Sequence, residues 1–409
     1  MRILMLAQFY PPIIGGEERF VRDFSAALAA RGHDVAVATL WQEGMAARER
    51  DGDVRVYRIR GSMQRVPGLH AAAGRRHAPP FPDPEAVWSL RKVIARERPD
   101  IVHAHNWMVH SFLPLKAWSK AKLVLTLHDY SLVCATKKLI YHGALCSGPG
   151  PRKCLDCAAD HYGTGKGIPT VLANWAMGIP ERATVDMFLP ESQAVAAGNG
   201  LVGGRAPFQV IPVFIAEDVA VPRGDVGPYR AQLPDEPYLL FVGAFGSYKG
   251  VDVLIRAYTT LTNPPPLVIV GYQTSEYPVA TNDLPPNVVV LKDWPHHAVM
   301  EAFRRSMMAL VPSVWAEPFG LVVLEAMATG RPVIASRIGG LTDLVVDGDT
   351  GLLVTPGDAD DLRRAIEQLL AAPALRERMG QAGQRRVAEF QPAAVVPRIE
   401  RVYEELLAG

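Results

Sequence analysis

Two glutamates in the last quarter of the sequence, Glu317 and Glu325, are separated by seven residues and flank an apolar stretch. Pro318 suits a helix's first turn and Gly330 a helix end, so the pattern predicts that Glu325 lies about two turns into a helix. A carboxylate among Leu, Val, Ala and Met is unfavourable without a partner. It could accept hydrogen bonds from two neighbouring hydroxyls, such as ribose O2 and O3. A carboxylate that faces solvent or pairs with an arginine fits the same pattern.

A glycine pair, Gly15-Gly16, follows the apolar segment at residues 2–7 and precedes a segment of helical period. Glycines at such a turn let an anionic group approach free backbone N–H groups and the positive end of the helix dipole. A phosphate or a sugar oxygen is a candidate ligand. A glycine pair is also needed for steric reasons in many turns, so the glycines alone do not show whether a ligand binds here.

All four cysteines fall within 24 residues that begin shortly after His128-Asp129-Tyr130, at positions Cys134, Cys146, Cys154 and Cys157. The final C-x-x-C has zinc-ligand spacing, and the glycines and prolines at 143–151 describe a loop that a metal could organise. A structural zinc is the prediction. Four reduced thiols, an iron–sulfur cluster and disulfides are the alternatives.

Short apolar runs alternate with segments of helical period along the whole chain, which is typical of parallel sheets covered on both faces. In the first half we predict strands at residues 2–7, 34–39, 101–104, 123–127, 187–189 and 210–212. In the second half we predict strands at residues 238–242, 267–270, 288–291, 308–311, 333–335 and 352–354. The expected fold class is α/β, with two tandem doubly wound Rossmann-like domains facing a central cleft.

A polar stretch rich in proline and glycine, at residues 216–237, separates the two halves. We expect a first domain of residues 1–213 with residues 392–409, which form a returning last helix, and a second domain of residues 214–391. Open α/β sheets bind ligands at the carboxyl ends of their strands, so the functional residues are expected in the loops there.

The composition narrows the function classes. The 409 residues include 43 basic and 42 acidic side chains, 49% hydrophobic residues and 21% charged residues. This composition is globular, and the charge balance gives no reason to expect nucleic acid as a partner. The first apolar run stops at Gln8, too short for a signal peptide or a membrane span, so a cytoplasmic location is expected.

Over essentially the whole chain, the sequence resembles the family 4 retaining glycosyltransferases, which share the fold known as GT-B. Six motifs carry the resemblance in the expected order: Pro11-Pro12 with Gly15-Gly16, Asp100-Ile101-Val102-His103-Ala104-His105, Thr126-Leu127-His128-Asp129, Phe241-Val242-Gly243 leading to Lys249-Gly250-Val251-Asp252, Glu317 to Glu325, and Ala335-Ser336 with Gly339-Gly340. Each motif alone is common, whereas six in order at the expected spacing are specific.

The resemblance implies roles for the residues around the two glutamates. Glu325 would hold the nucleotide ribose. Glu317, as a catalytic residue, would hold the donor sugar and its phosphates together with the backbone of Phe319, Gly320 and Leu321.

The resemblance also implies roles for four residues outside that segment. Gly16 would contact the diphosphate through its backbone, and Gly243 would belong to the donor site. Lys249 would neutralise the diphosphate as charge develops on the leaving group. His128 would lie next to the transferred sugar as a catalytic residue, whereas the bare pattern fits a histidine hydrogen-bonded at a strand end equally well.

One position departs from the family pattern. The family usually has an arginine directly after the glycine that matches Gly243, and this chain has Ala244. Loss of a charge-assisted contact to phosphate weakens binding by about 1.5–3 kcal/mol. Either another group supplies the contact or donor binding is altered. Backbone N–H groups at 246–248 and the Ser247 hydroxyl are the candidates.

The resemblance implies retaining transfer of a sugar from a nucleotide-diphosphate sugar to a hydroxyl acceptor. The leaving phosphate would take the acceptor's proton, and no metal or other cofactor would be required for the chemistry. The first domain would bind the acceptor, which would be a glycan, a lipid-linked molecule or a small molecule, and the second would bind the donor. A noncatalytic sugar-nucleotide-binding protein and a nonhydrolysing sugar-nucleotide epimerase are the alternatives.

Two segments are expected on the acceptor side. The cysteine segment would shape the acceptor pocket. The basic segment Gly61–Pro84 contains Arg65, Arg75, Arg76 and His77. It could bind an anionic or membrane-associated acceptor at the inner membrane face, although a solvated loop fits the same residues.

Overall fold

A computed structural model describes residues 1–13, 15–66, 76–272 and 284–409 of the chain. These residues divide into two compact units. The first unit consists of residues 1–141, 146–214 and 392–409, and the second consists of residues 142–145 and 215–391. The boundary after residue 214 lies one residue beyond the position expected from the sequence.

Strands and helices alternate in both units. The strands are β1 (Arg2–Ala7), β2 (Asp34–Leu40), β3 (Arg48–Asp51), β4 (Val54–Ile59), β5 (Ile101–His105), β6 (Lys122–Leu127), β7 (Ile140–Tyr141), β8 (Ala144–Leu145), β9 (Met187–Pro190), β10 (Leu239–Val242), β11 (Leu267–Gly271), β12 (Val288–Lys292), β13 (Met308–Val311), β14 (Val333–Ser336) and β15 (Gly351–Val354). The α-helices are α1 (Gly16–Ala30), α2 (Pro84–Glu97), α3 (Lys116–Ser119), α4 (Pro151–Tyr162), α5 (Thr164–Thr184), α6 (Gln193–Gly198), α7 (Gly227–Arg230), α8 (Val251–Thr259), α9 (His296–Arg305), α10 (Leu321–Ala328), α11 (Leu341–Leu344), α12 (Ala359–Ala371), α13 (Pro373–Val387) and α14 (Pro392–Ala408). Short 3-10 turns lie at Ser62–Arg65, Asn106–Ser111, Leu113–Leu115, Ser247–Lys249 and Ala388–Phe390.

The first unit is built on a seven-stranded sheet in the order β3-β4-β2-β1-β5-β6-β9. Neighbouring strands are parallel except for the antiparallel pair β3 and β4. The central strand β1 is buried along its whole length after Arg2, as a parallel strand covered on both faces must be. The order places the carboxyl ends of β1, β5, β6 and β9 side by side.

Two local differences from the sequence prediction concern this sheet. The strands β3 and β4 were not predicted. β3 reads Arg-Glu-Arg-Asp and is mostly exposed at the sheet edge, whereas β4 is mostly buried and its apolar residues are interrupted by Arg55 and Arg58. The strand predicted at residues 210–212 is wrong. Residues 207–211 run beside β9 through backbone hydrogen bonds but form only an isolated bridge at Phe208. Pro207 and Pro212 have no N–H with which to extend the ladder.

The second unit is built on a six-stranded parallel sheet in the order β12-β11-β10-β13-β14-β15. Its core joins these strands to α8 and α12 through buried side chains that include Leu239, Leu254, Leu310, Ile334 and Ile366. The six strands predicted for this half are confirmed to within one residue at each end. The predicted doubly wound α/β class is therefore correct for each unit.

The last helix, α14, packs on α1 within the first unit. Glu400 of α14 lies 2.7 Å from Arg31 Nη2 and 2.8 Å from His33 Nε2. Tyr403, one turn further, places its hydroxyl 2.5 Å from Nδ1 of His103 on β5. A carboxylate and a phenol thus fix the returning helix to α1 and to the sheet. In the part of the chain that the structure describes, no helix is both long enough and apolar enough to span a membrane.

Candidate functional site

Glu317 lies in the loop after β13, and its side chain is 8% exposed. Its Oε1 accepts hydrogen bonds from Lys249 Nζ at 2.5 Å and from Ser313 Oγ at 2.8 Å. Lys249 belongs to the 3-10 turn that follows β10, and β10 pairs directly with β13. Adjacent parallel strands therefore bring the predicted cation and the predicted carboxylate into contact at their carboxyl ends. The contact itself was not predicted.

Gly339 and Gly340, which follow β14, pack against the loop that carries Glu317. A Cβ on Gly339 would lie 2.5 Å from Glu317 N, and a Cβ on Gly340 would lie 2.4 Å from Pro318 O. The N–H of Gly340 donates to the carbonyl of Glu317 over 2.7 Å. No side chain fits at these two positions, so the glycine pair fixes the backbone on both sides of Glu317.

The helix α10 begins at Leu321, and the prediction that it begins beside Glu317 is wrong. The chain first passes through Gly320, whose φ of 110° is incompatible with a right-handed helix. Glu325 is therefore the fifth residue of α10, little more than one turn in. The backbone of Phe319, Gly320 and Leu321 forms the approach to a helix N-terminus, where the first N–H groups have no partner within the helix.

Glu325 is buried in α10, and its Oε1 lies 2.7 Å from Nε2 of His296, the first residue of α9. The side chain of His296 is 33% exposed and that of Glu325 is 12% exposed. The sequence left open a Glu325 carboxylate that faces solvent, and the low exposure of this side chain excludes that arrangement. The histidine partner was not predicted, because 29 residues separate the two positions.

Gly243 directly follows β10, and its N–H donates to the carbonyl of Val270. A Cβ on Gly271 would lie 1.8 Å from Gly243 O, so the two loops approach as closely as backbones can. Ala244, which replaces the family's arginine, is 4% exposed. Its methyl group packs inside the unit, and Ser247 opens the turn that carries Lys249.

In the first unit, Gly15 precedes α1 as an extended N-cap without a side-chain hydrogen bond, and Gly16 is exposed. Glu17, in the first turn of α1, accepts a hydrogen bond from Asn106 Nδ2 over 2.6 Å. Asn106 follows β5 and has a φ of 54°. The predicted glycine pair therefore lies beside a carboxyl group that the sequence did not single out.

His128 follows β6, and both of its ring nitrogens have side-chain partners. Its Nδ1 lies 2.9 Å from Glu191 Oε2, and its Nε2 lies 2.9 Å from Nδ1 of His105. The rings of His103, His105 and His128 are stacked in sequence, with centroids 4.7 Å and 5.2 Å apart. The register of β5 and β6 agrees with this alignment, because His105 lies opposite Thr126 and His128 follows Thr126 by two residues.

The electrostatics of this row of histidines favour a charge on His128. Burial alone lowers the pKa of His128, but the hydrogen bond and charge of Glu191, together with nearby Glu17, raise the pKa above its ordinary value. Burial lowers the pKa of His103 to about 3 and holds the pKa of His105 well below its ordinary value. Of the three rings, His128 is therefore the one whose protonated form its surroundings favour.

The four cysteines line one cavity of the first unit, beside β7 and the helices α4 and α5. Each thiol also lies close to a polar group of the protein. The contacts join Cys134 to Thr136 Oγ1 at 3.3 Å, Cys146 to Gly148 O at 3.3 Å, Cys154 to Gly150 N at 3.3 Å, and Cys157 to Ile140 O at 3.5 Å.

The predicted zinc ligand set is not assembled in this structure. Among the described residues, no three His, Cys, Asp or Glu side chains are arranged to hold a metal ion. The thiols point to the separate partners named above, and the structure contains them as free cysteines. Zinc binding stays a prediction from the cysteine spacing.

Two families of known proteins match this chain. The family described as "Glycosyltransferase Family 4" matches residues 14–146, and the family described as "Glycosyl transferases group 1" matches residues 230–386. The chain belongs to the family 4 glycosyltransferases. The two matches fall on the two units and together span more than half of the chain.

Similar proteins extend over the whole length of this glycosyltransferase. A glycogen synthase from Mycobacterium tuberculosis is 28% identical over 98% of this chain and 94% of its own. The solved sucrose-phosphate synthase from Thermosynechococcus elongatus has a TM-score of 0.73 and 23% identity, with 99% of both chains covered. Anabaena HepE, solved in complex with UDP and glucose, has a TM-score of 0.67 and 19% identity, with 99% of both chains covered. The structural likeness establishes the GT-B fold.

The basic segment of this glycosyltransferase is only partly described, because residues 67–75, including Arg75, lie outside the described residues. Arg65 pairs with Glu85 at 2.5 Å. Arg76 donates to the carbonyl of Gln64 at 3.2 Å. Two of the predicted basic side chains are thus bound to the protein's own surface, which agrees with a structural use of the segment.

Several polar residues of the glycosyltransferase were missed by sequence reasoning. They are Glu17, Asn106, Glu191 and His296. Glu191 and Asn106 each directly follow a strand of the parallel sheet, so the position of a polar residue at a strand end could have indicated them. The partner of each could not be found, because 63 residues separate His128 from Glu191 and 89 separate Glu17 from Asn106.

Proposed function

We propose that this glycosyltransferase transfers a sugar from a nucleotide-diphosphate sugar to a hydroxyl acceptor with retention of the anomeric configuration. The observation that carries the donor half is a pair of buried carboxylates in the second unit, Glu317 bound to Lys249 and Glu325 bound to His296. Glu317 precedes α10 by four residues and Glu325 is its fifth residue, so the two flank a helix N-terminus, where an anionic ligand is favoured. The similar HepE protein, solved with UDP and glucose, supports a nucleotide-sugar donor.

Glu325 is proposed to hold the ribose of the donor. A carboxylate can accept hydrogen bonds from two neighbouring hydroxyls, and Oε1 of Glu325 already lies within hydrogen-bond distance of His296 Nε2. The ribose hydroxyls would share or replace that contact. His296 then serves as the partner that keeps a buried carboxylate paired before the donor arrives.

Lys249 and Glu317 are proposed to hold the diphosphate and the transferred sugar. An ammonium group has three N–H donors, and the contact to Glu317 uses one of them. The remaining donors suit phosphate oxygens, together with the backbone N–H groups of Phe319, Gly320 and Leu321. The contacts to Lys249 and Ser313 both use Oε1 of Glu317, so its Oε2 is the atom proposed to accept a sugar hydroxyl.

Gly243 is proposed to let the donor approach the end of β10, and Gly16 to offer a backbone contact to the diphosphate. His128 is proposed to act next to the transferred sugar as a charged ring. Because Glu191 and His105 occupy its two nitrogens, a direct hydrogen bond from Nε2 to a sugar would require the contact to His105 to open.

The proposed reaction takes place on one face of the sugar. The bond between the anomeric carbon and the phosphate oxygen breaks, and the acceptor oxygen forms its bond to the same face of that carbon. The acceptor's proton moves to the leaving phosphate oxygen, so no protein base is needed. Stabilisation of charge on the leaving group by Lys249 is the protein's main contribution.

The experiment that tests the proposal has two stages. Thermal-shift screening of the purified enzyme against UDP, ADP and GDP sugars should identify the donor, because a ligand that binds the native state raises Tm. NMR of the product formed with that donor and a hydroxyl acceptor should then show the donor's own anomeric configuration. An inverted product would overturn retention, and isomerisation of the donor without acceptor would indicate an epimerase.

Structural zinc is kept as a proposal on the spacing of the cysteines alone. Elemental analysis of the purified protein gives a direct test. About one zinc per chain, lost on replacing Cys154 and Cys157 by serine, would support a site that closes around the metal. A content well below one per chain would remove the proposal and leave four reduced thiols.

A further inference from the structure

Three shielded polar atoms lie together where β5 ends and α1 begins. They are Glu17 Oε1, Asn106 Oδ1 and His105 Nε2, and none has a hydrogen-bond partner within the described residues. Buried polar atoms in folded proteins are nearly always bonded to protein, to ordered water or to a ligand. Three unpartnered atoms in one place therefore mark a position where another molecule's polar groups belong.

The backbone conformation of Asn106 orients its side chain towards Glu17. Asn106 has a φ of 54° and is 3% exposed. A left-handed φ is uncommon for a residue other than glycine and persists where the surroundings enforce it. It directs the Asn106 amide so that Nδ2 donates to Glu17 Oε2 over 2.6 Å. This hydrogen bond orients the Glu17 carboxyl group, and its Oε1 has no hydrogen-bond partner within the described residues.

The position borders the exposed start of α1. Gly16 is exposed and Glu17 is partly exposed, while Gly15 carries no side chain that would cover the start of α1. The side chains proposed to hold the donor nucleotide, Lys249, Glu317 and Glu325, belong to the second unit, and the first unit contributes the Gly16 backbone and His128 to the same substrate. Glu17 and Asn106 take no part in the proposed donor contacts, so the acceptor is the substrate left for their oxygens.

The surroundings of the Glu17 carboxyl group also change its pKa. Burial raises the pKa of Glu17 to about 7. The charged groups that act on it are His128 and Lys137, which lower this pKa, and Glu18 and Asp129, which raise it. Near neutral pH the group thus exists as carboxylate and as acid, and it can accept or donate a hydrogen bond.

We propose that Glu17, oriented by Asn106, binds a pair of neighbouring hydroxyl groups of a polyol or sugar acceptor and thereby determines acceptor specificity. The unpartnered atoms match such a pair, because a hydroxyl both donates and accepts. Glu17 Oε1 and Asn106 Oδ1 accept, and an N–H at His105 Nε2 donates. The inference rests on the proposed function, since it assumes transfer to a hydroxyl.

The test measures transfer from the nucleotide sugar selected by thermal shift to two probe acceptors that carry neighbouring hydroxyls, methyl α-glucoside and glycerol. Glu17→Gln should raise the KM for these acceptors about tenfold or more, which corresponds to about 1.4 kcal/mol. The KM for the donor and the rate of donor hydrolysis by water should change less than twofold. Asn106→Gly, which tolerates the left-handed φ but lacks the amide, should raise the acceptor KM in the same way.

The matched control is Glu85→Gln, because Glu85 also lies in the first turn of a helix of the first unit and pairs with exposed Arg65. It should leave every constant unchanged. The acceptor KM of the wild-type enzyme should fall as pH rises through about 7, since the carboxylate accepts more strongly than the acid. In Glu17→Gln this dependence should be absent, a result that a purely structural role for Glu17 does not give.

The outcomes separate this inference from the proposed function. Transfer by the wild-type enzyme together with an unchanged acceptor KM in folded Glu17→Gln would overturn the role of Glu17 and leave the function intact. A wild-type enzyme that neither transfers nor hydrolyses any nucleotide sugar would overturn both. Circular dichroism and Tm of each variant show whether it is folded, and a folded Asn106→Gly variant tests the site even where Glu17→Gln is unstable.

Discussion

Replacement of Glu325 by glutamine tests the ribose assignment with almost no change of shape. In the free enzyme Oε1 of Glu325 pairs with His296 at 2.7 Å. If the ribose hydroxyls bind the same carboxylate, the variant loses charge-assisted hydrogen bonds and keeps one acceptor oxygen. Nucleotide affinity should therefore fall while the fold remains.

The expected size follows from two opposing contributions. Two hydrogen bonds to a charged group contribute roughly 3–6 kcal/mol, and the partly exposed pair with His296, which the ribose must displace, offsets at most about 1 kcal/mol. Glutamine retains about half of the remainder. Binding should weaken by about 1–2.5 kcal/mol, which is roughly 5- to 70-fold in Kd. His296→Ala, which removes the competitor, should tighten binding by no more than about fivefold.

Isothermal titration calorimetry measures the affinity for the nucleoside diphosphate that binds best and for its 2′-deoxy form. The deoxy form lacks one of the two ribose hydroxyls proposed to contact Glu325. The wild-type enzyme should bind the deoxy form less tightly than the ribose form. Glu325→Gln should discriminate much less between the two forms, because the substitution removes the carboxylate from the same contact from which the deoxy form removes the hydroxyl. Glu367→Gln on α12, whose side chain is 42% exposed, is the control in the same unit. Full discrimination retained in Glu325→Gln would refute the assignment.

Three further predictions concern the stability of the scaffold. Asp83 caps α2 by accepting from two backbone N–H groups, so Asp83→Ala should lower the free energy of unfolding by about 1–2 kcal/mol in urea titrations. Gly250 has a φ of 74°, and a Cβ there would lie 1.9 Å from Pro312 O, so Gly250→Ala should lower Tm sharply and weaken donor binding. Glu400 has a lowered pKa because, although burial raises it, hydrogen bonds from Arg31 and then His33 outweigh that effect. Its stabilisation is present above the unfolded pKa of about 4.3 and lost as pH falls through the folded pKa, so the Tm gap between wild type and Glu400→Gln should shrink below about pH 4.

The fold could be predicted from the sequence wherever burial dictates composition. Strands such as β1 and β10 are covered on both faces, so they must be continuous apolar runs, and such runs are visible in one dimension. The edge strand β3 is held by pairing with β4 alone and carries charged side chains that face water. Nothing in its local composition distinguishes it from a loop.

The sequence indicated candidate residues for the site, but it did not indicate which of them contact each other. The family motifs singled out Glu317, Glu325 and Lys249 as candidates. Glu317 and Lys249 lie in the loops after β13 and β10, and Glu325 lies within α10. Which groups touch depends on strand order, and strand order is set by packing between distant segments. The contact of Lys249 with Glu317 exists because β10 lies next to β13, although 68 residues separate the two side chains.

The charge balance of the second unit limits how this enzyme can hold a diphosphate. Lys249 already neutralises the buried carboxylate of Glu317, and the position of the family's arginine is filled by the buried methyl group of Ala244. In the proposed donor site, the groups assigned to supply positive potential are the N–H bonds of Lys249 that Glu317 does not use and the N-terminus of α10, which carries roughly half a unit charge. Gly339-Gly340 packs against the loop leading to that helix, and under the proposed function we expect this packing to hold the helix N-terminus in place for the diphosphate. Gly340→Ala should therefore weaken nucleotide binding in calorimetric titrations more than Ala244→Ser does, and equal losses would contradict this assignment.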